Sequence, residues 1–140
     1  MHILMCNDDG ILADGLRHLA SYLSQYYRIT VVAPANEQSA KSHALTTEVP
    51  LKLDAYNGED ENPRLYALTG TPSDCMKFGL SYLLTDDMPD LVISGINHGF
   101  NLGSDVLYSG TVSAAMESCF YGIPGLALSV ERYSAERGDE

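Results

Sequence analysis

Basic residues are scarce in this chain. Eight Lys and Arg stand against nineteen Asp and Glu among 140 residues, a formal net charge of -11. A broad basic surface is not available, so nucleic-acid backbones and anionic lipid surfaces are disfavoured, and neither nucleic acid nor membrane is an expected partner. Cysteine is sparse as well. Cys6, Cys75 and Cys119 are far apart, odd in number and outside any CxxC or CxxH spacing. They read as small buried residues in a reducing compartment. No apolar run is long enough to span a bilayer, and the start MHILMCNDDG has no basic region before a long apolar stretch. A soluble, cytoplasmic protein is the expectation. NDDGILADG is not GxGxxG and no GxxxxGK[ST] occurs, which excludes dinucleotide oxidoreductase and ATP-driven chemistry of those types. Internal repeats and low-complexity segments are absent too.

What is present suits one globular domain. Apolar residues make up 45% of the chain, and a domain of this size buries roughly two-thirds of the surface its unfolded chain exposes. Residues 2–6 form a short apolar run of the kind found in central strands. Residues 13–26 place Leu16, Leu19, Ala20 and Leu23 at helical spacing, with Asp14 near the start. Residues 29–33 are a second apolar run, stopped by Pro34. Strand, helix and strand within so short a stretch are the signature of a parallel βαβ unit.

Residues 45–53 and 64–68 carry strand-type residues on either side of the turn-rich NGEDENP, and are expected to form a β excursion or hairpin around residues 44–68. GTPSD at 70–74 reads as a helix start, with Thr71 as cap, Pro72 in the first turn and Asp74 three residues after the cap. That helix is expected to run through Leu84 with Met76, Leu80, Leu83 and Leu84 inward. Residues 90–94 suggest another strand, followed by an irregular loop from Asn97 to Ser109, long enough that function is the usual reason for it. A helix over 111–121, capped by Gly122, and a strand over 125–130 complete an α/β, Rossmann-like three-layer sandwich with a largely parallel sheet. The chain then closes on polar ERYSAERGDE, as if further elements were to follow.

In such a fold ligands sit beyond the carboxyl ends of the strands. Asp8 and Asp9 follow the first strand, Gln38 and Ser39 follow the second, and Asn97 follows the strand over 90–94. Adjacent acids repel one another and need a compensating cation or hydrogen bonds. Hard oxygen ligands from separate loops match Mg2+, Mn2+ or Ca2+ better than a soft-ligand zinc site. Gly10 would let the backbone turn closely past the ion. A plainer account is also open: Asn7 and Asp9 as caps of the following helix, Ser39 as a turn serine, and Asn97 as a residue tolerating left-handed geometry. Ser109, Gly110 and Thr111 lead directly into a helix, whose free N–H groups can hold a phosphate or simply be capped. His43 and His98 are the histidines nearest these loops, able to donate to a phosphate oxygen or protonate a leaving group, or to serve structure alone.

NDDG at 7–10, VVAP at 31–34, QS at 38–39, GTPSDC at 70–75 and PDLVISGINHGFNLGSDVLYSGTVSAAME at 89–117 resemble the SurE family of survival-protein nucleotidases, in order and across nearly the whole chain. The resemblance implies a metal-dependent phosphatase acting on nucleoside 5'- and 3'-monophosphates, and for some members on short polyphosphate. It implies one divalent cation per subunit, Mg2+ or Mn2+ with Ca2+ acceptable in a crystal, bound by Asp8, Asp9, Ser39 and Asn97, with Ser109–Thr111 beside the active site. Asp8 and Asp9 become the expected catalytic residues; Asn7, Ser109, Gly110, Thr111, His43 and His98 become the expected phosphate or substrate contacts. Attack by water or directly by Asp8 or Asp9 are both open. Family members form dimers or tetramers through a C-terminal arm, so residues 1–140 are expected to be the core ahead of that arm, with a homodimer or homotetramer for the full-length protein. The alternatives are a truncated relative that binds metal and nucleotide without turnover, and a receiver-type signalling domain. The latter would need a Lys at a late strand end, which this chain lacks.

Overall fold

A computed structural model describes residues 1–37 and 48–131. Along the chain run β1 (His2–Cys6), α1 (Asp14–Leu23), β2 (Arg28–Pro34), β3 (Leu53–Ala55), β4 (Arg64–Leu68), α2 (Pro72–Phe78), β5 (Leu91–His98), α3 (Gly110–Cys119) and β6 (Gly125–Val130). The six strands make one sheet in the order β3-β4-β2-β1-β5-β6, parallel except where β3 runs antiparallel to β4. The architecture is α/β with a mainly parallel sheet, as the strand and helix alternation predicts. All five residues of β1 are buried. That is the consequence of covering a central parallel strand on both faces, and it is why its sequence is apolar without alternation.

Side-chain alternation along the strands sorts the core into two halves. Leu4, Cys6, Val32, Leu68 and Val92 face one way and pack with Cys75, Met76 and Leu80 of the α2 region and Ala114 of α3. Ile3, Met5, Ile29, Val31 and Ile93 face the other way and pack with Leu16 and Ala20 of α1, with Leu19 and Leu23 at the margin. Three layers result.

The start of α2 follows its sequence signature. Asp74 N donates to Thr71 Oγ1 at 3.1 Å, and Thr71 N donates to Asp74 Oδ2 at 2.8 Å, a reciprocal capping box. Past Phe78 the helix widens into a π-helical turn over Gly79–Leu83 before ending at Leu84. Helix α1 differs from the cap reading: its N-cap is Ala13, with no side-chain cap at all. Asn7 does not serve it, since its amide bonds the Gly10 backbone.

The hairpin around β3 and β4 is present and belongs to the main sheet, because β4 pairs with β2. Its first strand is shorter than the β-type run suggests. The strand covers Leu53–Ala55, opposite Tyr66–Leu68, while 48–52 precede it outside the strand and 45–47 lie outside the described residues. β5 is longer than its apolar run. Pairing with β6 resumes at Asn97 and His98 after an irregularity in register, so the strand carries through Gly95 and Ile96 to His98. The following loop is also less open than predicted, since Gly103–Tyr108 forms a 3-10 turn. Of the cysteines, Cys6 and Cys75 are buried but Cys119 is exposed. It sits in the last turn of α3 beside the exposed Met116 and Phe120, on the side turned from the core. No helix among the described residues is long and apolar enough to cross a membrane.

At the amino end of the sheet, His2 is buried and held from both ring nitrogens. Nδ1 lies 3.1 Å from the Asp87 carbonyl oxygen and Nε2 lies 2.8 Å from Thr30 Oγ1. These partners fit a neutral ring that donates from Nδ1 and accepts at Nε2. Burial, reinforced by the Arg28 charge, pulls its pKa below the usual 6.5 against the opposing pull of Asp87 and Asp90. The unfolded chain therefore takes up a proton at higher pH than the native one, so stability is full above about pH 6.5 and declines as pH falls below it. Thermal unfolding followed from pH 7.5 down to 5.5 is expected to show a fall in Tm that is shallower in His2→Gln.

Candidate active site at the carboxyl ends of β1 and β5

β1 and β5 are neighbours, with Cys6 paired to Ser94. The chain leaving β1 carries Asp8 and Asp9, and β5 carries Asn97 three residues beyond its pair with Cys6. Both sets of side chains therefore collect at one edge of the sheet, where this fold class binds ligands.

The loop between them is fixed by Asn7. Its Nδ2 donates to Gly10 O at 2.9 Å and its Oδ1 accepts from Gly10 N at 3.1 Å. Both ends of the amide thereby bond the backbone, so Asn7 shapes the loop. Gly10 closes that loop at φ +105°, a conformation that L side chains rarely adopt. Ile11 N then donates to Pro34 O at 2.8 Å, tying the acid loop to the end of β2. Glu37 borders the same turn, its nitrogen 3.6 Å from where a Cβ on Gly10 would lie. Gln38, Ser39 and His43 lie outside the described residues.

Asp8 is buried, at 6% exposure, while Asp9 is half-buried. Burial pushes the Asp8 pKa up, and the neighbouring Asp9 charge adds to the shift. The nearby Thr111 hydroxyl acts in the opposite sense, yet the pair falls outside normal hydrogen-bond geometry: neither Asp8 Oδ1 nor Thr111 Oγ1 has a partner among the described residues. An unsatisfied buried polar group costs about 1–3 kcal/mol and a charged one more. Two such atoms side by side mark a place where the protein's own hydrogen bonds are incomplete.

Thr111 comes to Asp8 because α3 begins against the acid loop. Ser109 caps that helix, its Oγ accepting from Val112 N at 3.1 Å, so its hydroxyl is committed to the helix end. A Cβ on Gly110 would stand 3.0 Å from both Asp8 Cβ and Pro72 Cγ. Glycine is what admits the backbone this close, with the N–H groups of the first helical turn beside the acids. Asn97 is half-buried and donates from Nδ2 to Gly99 O at 2.9 Å, an arrangement that leaves its carbonyl oxygen available. His98 is exposed and lies near the first turn of α1, its Nε2 3.9 Å from a Cβ placed on Gly15.

The donors gathered here are all hard oxygens: two carboxylates, an amide carbonyl and a hydroxyl. They fit a cation of the Mg2+, Mn2+ or Ca2+ class and not a soft-metal site. Among the described residues no three His, Cys, Asp or Glu groups converge. A cation would rest on the two carboxylates completed by neutral oxygens. The sequence reading overlooked Ser73 and Ser94. Both are fully buried and both have a hydroxyl oxygen without a partner among the described residues. A serine in a helix cap box or at the end of an apolar strand carries no signal that would single it out.

Known proteins share this sequence and fold. The family model described as "Survival protein SurE" matches residues 3–139. A protein of Thermoanaerobacter sp. (strain X514) named 5'-nucleotidase SurE is 54% identical over 129 residues, which is 92% of this chain and 50% of that protein. One of the same name from Clostridium botulinum (strain Alaska E43 / Type E3) is 46% identical over 140 residues, all of this chain and 55% of that protein. The crystal structure of SurE protein from Aquifex aeolicus superposes with a TM-score of 0.83 at 41% identity, covering 96% of this chain and 53% of that one. The chain thus spans about half the length of the relatives it matches.

Since the native Asp8 holds its proton to a higher pH than the unfolded one, its contribution to stability is greatest below the ordinary aspartate value of 3.8 and is lost as pH rises through the folded pKa. At neutral pH its ionised form is a net cost. Asp8→Asn is expected to raise the Tm of cation-free protein at pH 7 relative to wild type, and the gap should close below about pH 4. Scanning calorimetry in chelator at the two pH values checks both the sign and the closure.

Proposed function

The chain belongs to the SurE family, and on that footing we propose that it is the core of a metal-dependent phosphomonoesterase that hydrolyses nucleoside 5'- and 3'-monophosphates. Short polyphosphate offers the same terminal phosphoryl chemistry and is a further candidate substrate. The observation that carries the reading is the Asp8 carboxylate, buried next to Asp9 in sequence and close to the Thr111 hydroxyl at the start of α3, with Asp8 Oδ1 and Thr111 Oγ1 both unpartnered among the described residues. The 5'-nucleotidase name borne by the relatives supports the same reaction class.

Asp8, Asp9 and the Asn97 carbonyl oxygen would hold one divalent cation, Mg2+ or Mn2+; the family resemblance adds Ser39. Such an ion, when bound, supplies charge neutralisation at the acids and polarisation of a phosphoryl oxygen. The remaining work falls to the chain itself. The Gly110 and Thr111 N–H groups, at a helix end that favours anions, bind phosphoryl oxygens without any Lys or Arg. Ser109 holds that helix end in place through its cap. His98, next to Asn97 in sequence and exposed, and His43 are the histidines proposed to give a proton to the departing nucleoside oxygen. A homodimer or homotetramer in the cytoplasm is the proposed setting of the full-length protein. A second reading, binding of cation and nucleotide without turnover by residues 1–140, is the other outcome of the same assay.

Release of inorganic phosphate from a panel of nucleoside monophosphates, with Mg2+ or Mn2+ and with chelator, tests the proposal. Turnover is expected only with the divalent cation. Asp8→Asn should lower kcat/KM by at least about 100-fold, the upper end of the loss usual for outer-shell partners of a metal site. Turnover in chelator, or turnover unaffected by Asp8→Asn, overturns it. Cation binding with no turnover selects the second reading.

A further inference from the structure

Two fully buried serines lie close behind the acid loop, and no role considered so far uses them. Ser94, on β5, is paired in register with Cys6 of β1 and with Ala127 of β6. By strand alternation it shares the face of Val92, which packs with Cys6, Cys75, Met76 and Ala114. Ser73 lies in the first turn of α2, two residues before Cys75. It follows Pro72, whose Cγ borders the backbone of Gly110 and whose carbonyl oxygen is 3.9 Å from the Cys6 thiol. Thr111 sits on α3 one turn ahead of Ala114 and beside Asp8. All three residues are 0% exposed, and all three hydroxyl oxygens are without a partner among the described residues. They come from three elements that each reach the stretch from Cys6 to Asp8: Ser94 pairs with Cys6, Ser73 follows Pro72 beside Cys6, and Thr111 adjoins Asp8.

A chain that orphaned three hydroxyls in one place by accident would be selected toward Ala and Val, since an apolar group of the same shape removes the cost. Hydroxyls can donate and accept in any direction, and an internal water needs two to four such partners. With Asp8 Oδ1 the set offers four. We propose that Ser73, Ser94 and Thr111 enclose an ordered internal water that hydrogen-bonds Asp8 Oδ1 and fixes the orientation of that carboxylate. The three are positioning residues acting through Asp8. For its activity arm this inference rests on the phosphomonoesterase reading; the existence of the water does not.

Two measurements test it. The first is a high-resolution crystal structure of the wild-type protein, in which a water is expected within 3.2 Å of Asp8 Oδ1 and of at least two of the three hydroxyls. An empty space, or hydroxyls turned to backbone carbonyls, overturns the proposal whether or not the protein is active. The second compares Thr111→Val, Thr111→Ser and Ser94→Ala with wild type under saturating Mn2+. The two variants that lose a hydroxyl are expected to lower kcat about 10–100-fold, with KM within about 3-fold and no fall in Tm; Thr111→Ser should recover most of kcat. Loss of kcat in step with loss of Tm and without rescue by Thr111→Ser assigns these residues to folding alone and overturns the positioning role. Unchanged kcat does the same. If the wild-type protein shows no turnover, the phosphomonoesterase reading fails on its own terms and the crystallographic water still decides this one.

Discussion

A carboxylate buried beside a second carboxylate imposes the condition that the rest of this sheet edge satisfies. Ionised Asp8 is better solvated in water than where it stands, as the upward push on its pKa from burial and from Asp9 expresses. A flexible loop would let the side chain swing out. Here the loop cannot relax, because the Asn7 amide clamps Gly10 from both ends, Ile11 is tied to the β2 terminus, and the Gly110 backbone presses on the Asp8 side chain. Each contact is local and ordinary. Together they hold a charge in a place it would not choose, which is the usual mark of a group kept for chemistry and not for stability.

The sheet order explains why the other groups arrive at the same spot. β1 is central, with β2 and β5 beside it, so the loops after all three open at a common edge. The irregular register between Ser94 and Asn97 then redirects the end of β5, as bulges near active sites often do. Helix α3 contributes from above only because two of its approaches are made at glycine. Gly110 admits the backbone against Asp8 and Pro72, and at the far end Gly125 opens β6 beneath the Ala115 carbonyl, where a Cβ would stand 2.4 Å from the oxygen. A side chain at either position would lift the helix and take its N–H groups away from the acids.

Much of this is legible in the sequence because it depends on local pattern. The continuous apolar run of β1, the Thr71-Pro72-Asp74 helix start and the Asp8-Asp9-Gly10 break each have a short-range cause that survives in the folded chain. What sequence missed depends on distant partners. The extension of β5 to His98 is decided by pairing with β6, and the irregular stretch before Leu53 by where β4 ends. That Asn7 clamps its loop is not legible either, since an Asx side chain bonding its own backbone is written the same way as one bonding a helix end or a substrate. The environment of Ser73 and Ser94 was hidden for a further reason. Whether a buried hydroxyl is satisfied depends on three elements at once.

Charge placement gives the last constraint on what can bind. Arg28 and Arg64 open β2 and β4, at the end of the sheet away from the acids, and Arg28 is already paired with Asp87 at 2.8 Å. Arg64 is taken up by Tyr66, through its hydroxyl and across its ring. Lys52 lies by Asp54, and Lys77 serves the last turn of α2. None of these cations stands at Asp8. An anion reaching this edge of so acidic a protein meets two carboxylates, opposed by the N–H groups of one helix end whose partial charge is roughly half an elementary charge. The Asp8 and Asp9 side chains at this edge therefore repel phosphate more than one helix end attracts it. A phosphate ligand becomes reasonable here only with positive charge brought in between it and the acids, so the phosphoester reading and the divalent-cation reading stand or fall together.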